Sequence, residues 1–502
     1  MKIFSVAANM HDHNTYDGIF HYQEERYSRK KHNISLAEPY DPTPSRNFFM
    51  RHFLPGYYSK DGIVAFTYSN LGREFVLDLL KEHLPNTDFL KFIPKNLWDK
   101  CHTENYYYID HHQSHAAYAF LSSGFEESDI LAIDGRGCTF SCIFVDKHGT
   151  INDLSAKLSI GSLWNIFAQQ AGLGYLGAGK LMGLSAYGKL DATVKTLIEN
   201  YIQNPIHRLP DSFGEILDTI PKADIAHTLQ SVTIDLIKSV VYPLKTSSNI
   251  CIGGGVAYNG YMNEEFTEHY DNVFIPPAPG DEGQSIGTYM HADYVLNGNK
   301  HIPCVYSGKD HDINEAIFAG LNVRKLSFDE IIRYVANNIA TGKIVGWYQG
   351  KSESGNRALG NRSILADPRN PDIKDIINSK IKLREDFRPF APSVLEDHYK
   401  AYFDTNQLSP YMSRIMPVIS NKIPGVTHVD GTARIQTVSK ELNTKFHALI
   451  TEFYRITGIP MLLNTSFNCR EPIVETPHDA LSTFKRTGLD ILVINNYVIE
   501  KQ

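Results

Sequence analysis

The chain has 502 residues, 42% of them hydrophobic and 21% charged, with a formal net charge of −7. That length exceeds one ordinary core and predicts two or three domains, and the composition excludes a disordered or fibrous chain. The acidic balance gives no global basic footprint for non-specific nucleic-acid binding, and no run reaches the roughly 18 consecutive apolar residues of a membrane span.

In chain order, "KIFSVAA" reads as a strand in an N-terminus whose apolar run is too short for a signal peptide. "GIFHYQEERYSRKKH" is a second strand that turns basic, and "DGIVAFTYS" and "YYYIDHH" are further short strands. "SHAAYAFLSSG" predicts a helix with Ser114 as cap and Gly124 as stop. "DILAIDGRGCTFSCIFVDKHG" predicts a hairpin, and 191–248 is helical. "NICIGGGVAYNGYMNEEF" and "NVFIPPAPGDEGQSIGTYM" each predict strand, turn and helix. "LNGNKHIPCVYSGKDHD" has the composition of a linker, which divides the chain into domains at 1–310 and 321–502. The six cysteines form no C-x-x-C pair, which speaks against a cysteine zinc site and for reduced thiols in a cytoplasm.

Three glycine turns follow apolar strands: Asp134-Gly135-Arg136-Gly137, Gly253-Gly254-Gly255 and Pro279-Gly280-Asp281-Glu282-Gly283. Glycine lets backbone N–H groups approach and cradle phosphate. Singly each reads as a tight turn. In this order they resemble the actin/sugar-kinase fold, in which two hairpins hold phosphate and a Gly-Gly turn, here Gly254, Gly255 and nearby Asn259, holds adenosine. In "IDHHQSHAAYAF", His111 and His115 are four apart and share one helix face. Two readings stay open for the pair: polar residues at a helix start, or two ligands of an open metal site with Asp281 as the third.

The second domain collects cations beside Gly and Pro turns: Arg357 and Arg362 in "ESGNRALGNRSILADP", Lys380, Lys382, Arg384 and Arg388 in "NSKIKLREDFRPFAPSV", and Arg434 in "HVDGTARIQTV". "GIPMLLNTSFNCREPIV" adds Asn464, Thr465 and Ser466 at a strand end. The pattern suits phosphate-like anions rather than a solvated basic face.

Blocks over nearly the whole chain, among them "EERYSRKKH", "HHQSHAAYAF", "KLMGLSAYG", "NRALGNRSIL", "LREDFRPFAPSV", "DGTARIQTV" and "LLNTSFN", resemble the O-carbamoyltransferases, the group that includes antibiotic-tailoring and nodulation-factor enzymes. The resemblance implies an α/β chain: an actin-like first domain related to tRNA threonylcarbamoyl-transfer enzymes, then a YrdC-like domain. It implies that the second domain makes carbamoyl-adenylate from carbamoyl phosphate and ATP, with Mg, and that the first passes the carbamoyl group to a hydroxyl beside a metal.

Carried over by residue, the metal ligands are His111, His115 and Asp281, holding Fe(II) or another divalent ion. Asp134 lies near the same ion, and His11 and Lys31 stand at the N-terminal face of the site as further catalytic groups. Lys382, Arg388, Arg434 and Ser466 take carbamoyl phosphate. Arg357 and Arg362 face the adenylate phosphates, and Asn464 and Thr465 belong to the nucleotide site.

The acceptor stays open between a sugar-like small molecule and the hydroxymethyl group of 5-hydroxymethylcytosine in DNA. For the second, Tyr16, Phe20 and Tyr22 of "NTYDGIFHYQ" would form an aromatic slot for a flipped base. An actin-fold small-molecule kinase is the alternative of another class, and it leaves the histidine pair unexplained. The sequence leaves the oligomeric state open.

Overall fold

The computed structural model describes residues 2–8, 13–29, 62–68, 102–103, 106–135, 140–203, 211–300 and 302–501. The first domain repeats one topology. Its first sheet contains β1 (Lys2–Ala8), β2 (His13–Tyr16), β3 (His21–Gln23), β4 (Gly62–Tyr68), β5 (His102–Thr103) and β6 (Tyr106–Tyr108), in the order β3-β2-β1-β4-β6-β5. β1 to β3 are an antiparallel meander, and β4 and β6 add in parallel on the other side of β1.

The second sheet contains β7 (Asp129–Ile133), β8 (Cys142–Val145), β9 (Ile151–Asp153), β10 (Asn249–Gly253) and β11 (Asn272–Phe274), in the order β11-β10-β7-β8-β9. Again a meander is followed by two parallel strands beside its first strand. This doubled arrangement is the actin-like fold that the glycine turns suggest.

The last parallel strand of each sheet leads to a helix, His111–Leu121 in one and Gln284–Asn297 in the other. The two helices touch at Gly287, where a Cβ would lie 2.1 Å from the Ser114 carbonyl oxygen, so only glycine permits this crossing. The helix Lys222–Val240 and its neighbours bury a separate apolar cluster around Trp164, Phe167 and Leu229.

The second domain is α/β, as expected. Its mixed sheet has eight strands in the order Val323–Lys325, Tyr497–Glu500, Ile491–Ile494, Val345–Tyr348, Arg362–Ala366, Met461–Ser466, Ala391–Leu395 and Gln436–Val438. Trp347 is fully buried in its core, and its indole N–H donates to the Gly360 carbonyl at 2.9 Å. The linker-like stretch is not free chain. His21 N–H donates to the Ser307 carbonyl, and Ser354 N–H to that of Val305, so it is tied to both domains. Among the described residues, no helix is long and apolar enough to cross a membrane.

Two local expectations change. Ser114 does not cap its helix, which begins at His111 because the Asp110 carboxylate, a stronger acceptor, takes the His112 N–H at 2.9 Å. Ser114 is instead buried and donates to the Gln284 carbonyl. Two of the three rings of the expected aromatic slot are also buried, while Phe20 is partly exposed. Tyr16 and Tyr22 are 1% and 0% exposed, the first edge-on to Tyr289 and the second packed on Tyr27; their register puts them on opposite faces of strands that are covered on both sides.

Candidate metal centre and adjoining anion cavity

His111 and His115 lie one turn apart on a buried helix, Asp134 directly follows β7, and Asp281 opens the turn after β11. Gly254 brings these elements together. Its φ of +90° and a would-be Cβ 2.1 Å from the Ile133 carbonyl oxygen let the end of β10 close onto the end of β7. His115 Nε2 lies 3.1 Å from Asp134 Oδ2 and 3.3 Å from Asp281 Oδ1, and His111 Nε2 lies 3.3 and 3.4 Å from the same atoms.

The charges at this point are strongly coupled. Burial disfavours the His115 imidazolium, but hydrogen bonds and charge from Asp134 and Asp281 outweigh it and raise the pKa to about 9. Burial likewise opposes an ionised Asp134, yet His111 and His115 hold it well below the ordinary carboxylate range. Two imidazole nitrogens and two carboxylate oxygens, all within 4.8 Å of one another, form a donor set that fits a divalent metal ion. Asp281 Oδ1 is buried and faces both imidazole nitrogens, as suits an atom that would share a cation with them. His112, on another face, sits against Phe140, and burial lowers its pKa to about 3.

Two cavities meet beside the cluster. One, of about 280 Å³, is lined by Asp134, Asp281, Gly255, Asn259, Tyr258 and apolar Trp164, Leu176 and Met182. The other, of about 300 Å³, is lined by Arg357, Arg384, Arg388, Arg434 and Lys374, with Asn464, Thr465 and Ser466 on the wall. Arg357 belongs to both, and its guanidinium lies 5.1 Å from the centre of the Tyr258 ring.

The second cavity carries an excess of positive charge, although Arg388 pairs with Glu385 at 3.7 Å and Glu25 stands on the wall. Burial and then the neighbouring Arg357, Arg384 and Arg388 push the Arg434 pKa far down. Burial, with Arg388 next to it, lowers that of Arg384 to about 9. Such a cluster of guanidiniums is stabilised by a bound anion.

Two family descriptions match the chain: "Carbamoyltransferase N-terminus" over residues 21–290 and "Carbamoyltransferase C-terminus" over 336–501. The chain belongs to the carbamoyltransferase family. Its relatives include the nodulation protein NolNO of Sinorhizobium fredii, 36% identical over 79% of this chain and 64% of that one. Nodulation protein NolO of Bradyrhizobium diazoefficiens is 34% identical over 78% of this chain and 79% of that protein. An uncharacterized Synechocystis protein, sll1178, is 32% identical over 95% of this chain and 92% of its own. The chain therefore spans just under two thirds of NolNO and most of the other two. Among solved structures, HypF of T. kodakarensis is 12% identical with a TM-score of 0.35, over 59% of this chain and 48% of that one. The actin-like fold rests on the strand order described above.

In this carbamoyltransferase, His111, His115, Asp134 and Asp281 lie together, and Asp134 offers one of the four candidate ligand atoms. Gly255 and Asn259 line the first cavity, whereas Gly254 lies beneath β7 and off its wall. Arg357, Arg388, Arg434, Asn464, Thr465 and Ser466 line the second. His11 and Lys31 lie outside the described residues.

Two expected anion contacts are off the walls of both cavities. The Lys382 ammonium is drawn to the Asn468 Oδ1 at 2.7 Å and the Ser466 Oγ at 3.2 Å, so it holds that turn from behind. Arg362 is fully buried, donates to the Gln349 and Gly350 carbonyls at 2.8 and 2.9 Å, and stacks 3.5 Å over the Tyr348 ring.

Sequence reasoning placed Arg384 in the anion-binding cluster without giving it a specific contact. It missed Asn14, whose amide donates to the Asp281 carbonyl and accepts from the Ser285 N–H, and Gln284, whose amide lies 3.0 Å from His115 Nε2.

These placements separate two arginines of one motif. Arg362→Met strands buried carbonyls and should lower stability by about 3 kcal/mol in urea unfolding. Arg357→Met should leave the unfolding midpoint close to wild type and impair activity alone.

Proposed function

We propose that the protein is an ATP-dependent O-carbamoyltransferase that activates carbamoyl phosphate in the arginine cavity and transfers the carbamoyl group beside the His–Asp cluster. One observation carries this reading: an anion cavity and a cavity opening on a metal-type cluster share Arg357 on their walls. A kinase on this fold would need neither the four-arginine cavity nor the cluster.

Carbamoyl phosphate and ATP are both polyanions, so Arg357, Arg384, Arg388 and Arg434 hold them together against their mutual repulsion. Water releases carbamate and phosphate from carbamoyl phosphate. The carbamate oxygen then displaces pyrophosphate from the α-phosphorus of ATP, giving carbamoyl-adenylate. The same guanidiniums stabilise the charge that builds on the pyrophosphate.

At the second site the acceptor hydroxyl attacks the carbamoyl carbon and AMP leaves. A divalent metal, Fe(II) by family resemblance, would be held by His111, His115, Asp134 and Asp281, where it would supply Lewis-acid polarisation. Gly135 N–H donates to Asp134 Oδ1 at 2.6 Å and Asn14 secures the Asp281 turn, so both carboxylates are held in place before substrate arrives.

With Tyr16 and Tyr22 buried, the acceptor class this reading favours is a small hydroxylated molecule. A mass-spectrometric screen for carbamoyl gain should find product among hydroxylated small molecules in the presence of ATP and carbamoyl phosphate. Product only with hydroxymethylcytosine-containing DNA, run in parallel, would move the acceptor to the alternative class.

A further inference from the structure

His428 lines the arginine cavity beside Arg434 and Lys374 and has no role in the account so far. Its ring is held by a short relay. Thr432 Oγ1 donates its one proton to Asp430 Oδ1 at 2.7 Å, and Tyr261 O–H donates to Asp430 Oδ2 at 2.6 Å. With its proton spent on a carboxylate, Thr432 Oγ1 accepts from His428 Nδ1–H at 3.2 Å. That fixes the tautomer: Nδ1 carries the proton, and Nε2 is a lone-pair acceptor left for the cavity. Burial lowers the imidazole pKa to about 4; Asp430 opposes this, and Arg434 and Lys374 reinforce it, so the ring is neutral at physiological pH.

A neutral acceptor among guanidiniums has a specific use. Arginine and lysine only donate, so they bind the phosphate of carbamoyl phosphate but offer nothing to its NH₂ group. Several oxygens nearby are engaged: Lys382 draws on the Ser466 and Asn468 oxygens, and Asp430 holds the Tyr261 hydroxyl, while Asn464 Oδ1 is a second open acceptor on the wall. Glu25 brings a carboxylate to the wall, with a charge that repels a dianion. We propose that His428 is a specificity-determining residue of this cavity, its Nε2 accepting an N–H of the carbamoyl group and so distinguishing carbamoyl phosphate from acyl phosphates that lack one. This rests on the reading of the cavity given under Proposed function.

The test compares wild type, His428→Ala and His428→Gln in carbamoyl-phosphate-dependent exchange of labelled pyrophosphate into ATP, with acetyl phosphate as a competitive inhibitor. Acetyl phosphate carries a methyl group where carbamoyl phosphate carries NH₂. His428→Ala should raise KM for carbamoyl phosphate about tenfold to a hundredfold, the range for stranding one buried donor. KM for ATP and Ki for acetyl phosphate should stay at wild-type values, and His428→Gln, which keeps an acceptor, should recover most of the loss. An equal rise in Ki for acetyl phosphate would make His428 a structural residue and overturn the proposal. A rise in KM for ATP instead would assign the lone pair to the nucleotide and overturn it equally. Failure of the wild-type protein itself to catalyse exchange would bring down the functional reading on which the proposal rests, and is told apart by that control.

Discussion

His115→Ala loses carbamoyl transfer and bound metal while keeping carbamoyl-phosphate-dependent pyrophosphate exchange. The expectation follows from where the residue sits. His115 Nε2 is within 3.3 Å of both carboxylates of the cluster, and it lines neither cavity wall. Removing it deletes one of four convergent donor atoms and leaves two half-buried carboxylates facing a single imidazole. Losing a Lewis-acid site of this kind costs several kcal/mol of barrier stabilisation, a fall in transfer rate of about 1,000-fold. The arginines that carry the activation step are untouched. Metal analysis and the exchange assay on the same preparation check both halves, and loss of exchange together with transfer would refute the division into two sites.

Arg434→Ala should show the opposite pattern. Its guanidinium is pressed by burial and by Arg357, Arg384 and Arg388, so in the free protein it repels its neighbours, and a bound anion relieves that repulsion. Deleting it should reduce exchange by about 100-fold or more, from charge-assisted bonds lost to substrate phosphates. Metal content should be unchanged. Thermal stability should hold or rise, since the remaining arginines lose a like-charged neighbour. An Arg434→Ala protein with wild-type exchange would remove this residue from the anion site. One that unfolds at room temperature would show the cluster to be structural.

The sequence carried the metal-type cluster well because each member sits in a local pattern that survives folding. The four-residue spacing of His111 and His115 is a helix property, and Asp134 and Asp281 follow strand ends where an actin-like chain turns toward its cleft. The sequence did not carry which cations of a basic motif face a ligand. Arg357 lies in an irregular loop before the strand Arg362–Ala366, whereas Arg362 begins that buried strand, and only the tertiary course of the backbone carbonyls around Arg362 turns its side chain inward. The position of Lys382 was illegible for the same reason, since the oxygens that hold it come from residues more than 80 positions away. Tyr16 and Tyr22 read as a candidate slot because the sequence does not show that both faces of their strands are covered by other elements. His428 stood in plain view in "HVDGTARIQTV", but its fixed tautomer depends on a hydrogen-bond relay through Thr432 and Asp430 that no spacing rule reveals.

The measurement that bears most directly on the account is exchange of labelled pyrophosphate into ATP by the wild-type protein, with and without carbamoyl phosphate and with no acceptor present. Formation of carbamoyl-adenylate in the arginine cavity predicts exchange only when carbamoyl phosphate is added. Absence of exchange under those conditions, with ADP and a phosphorylated acceptor appearing from ATP alone, would contradict it and establish a kinase in its place.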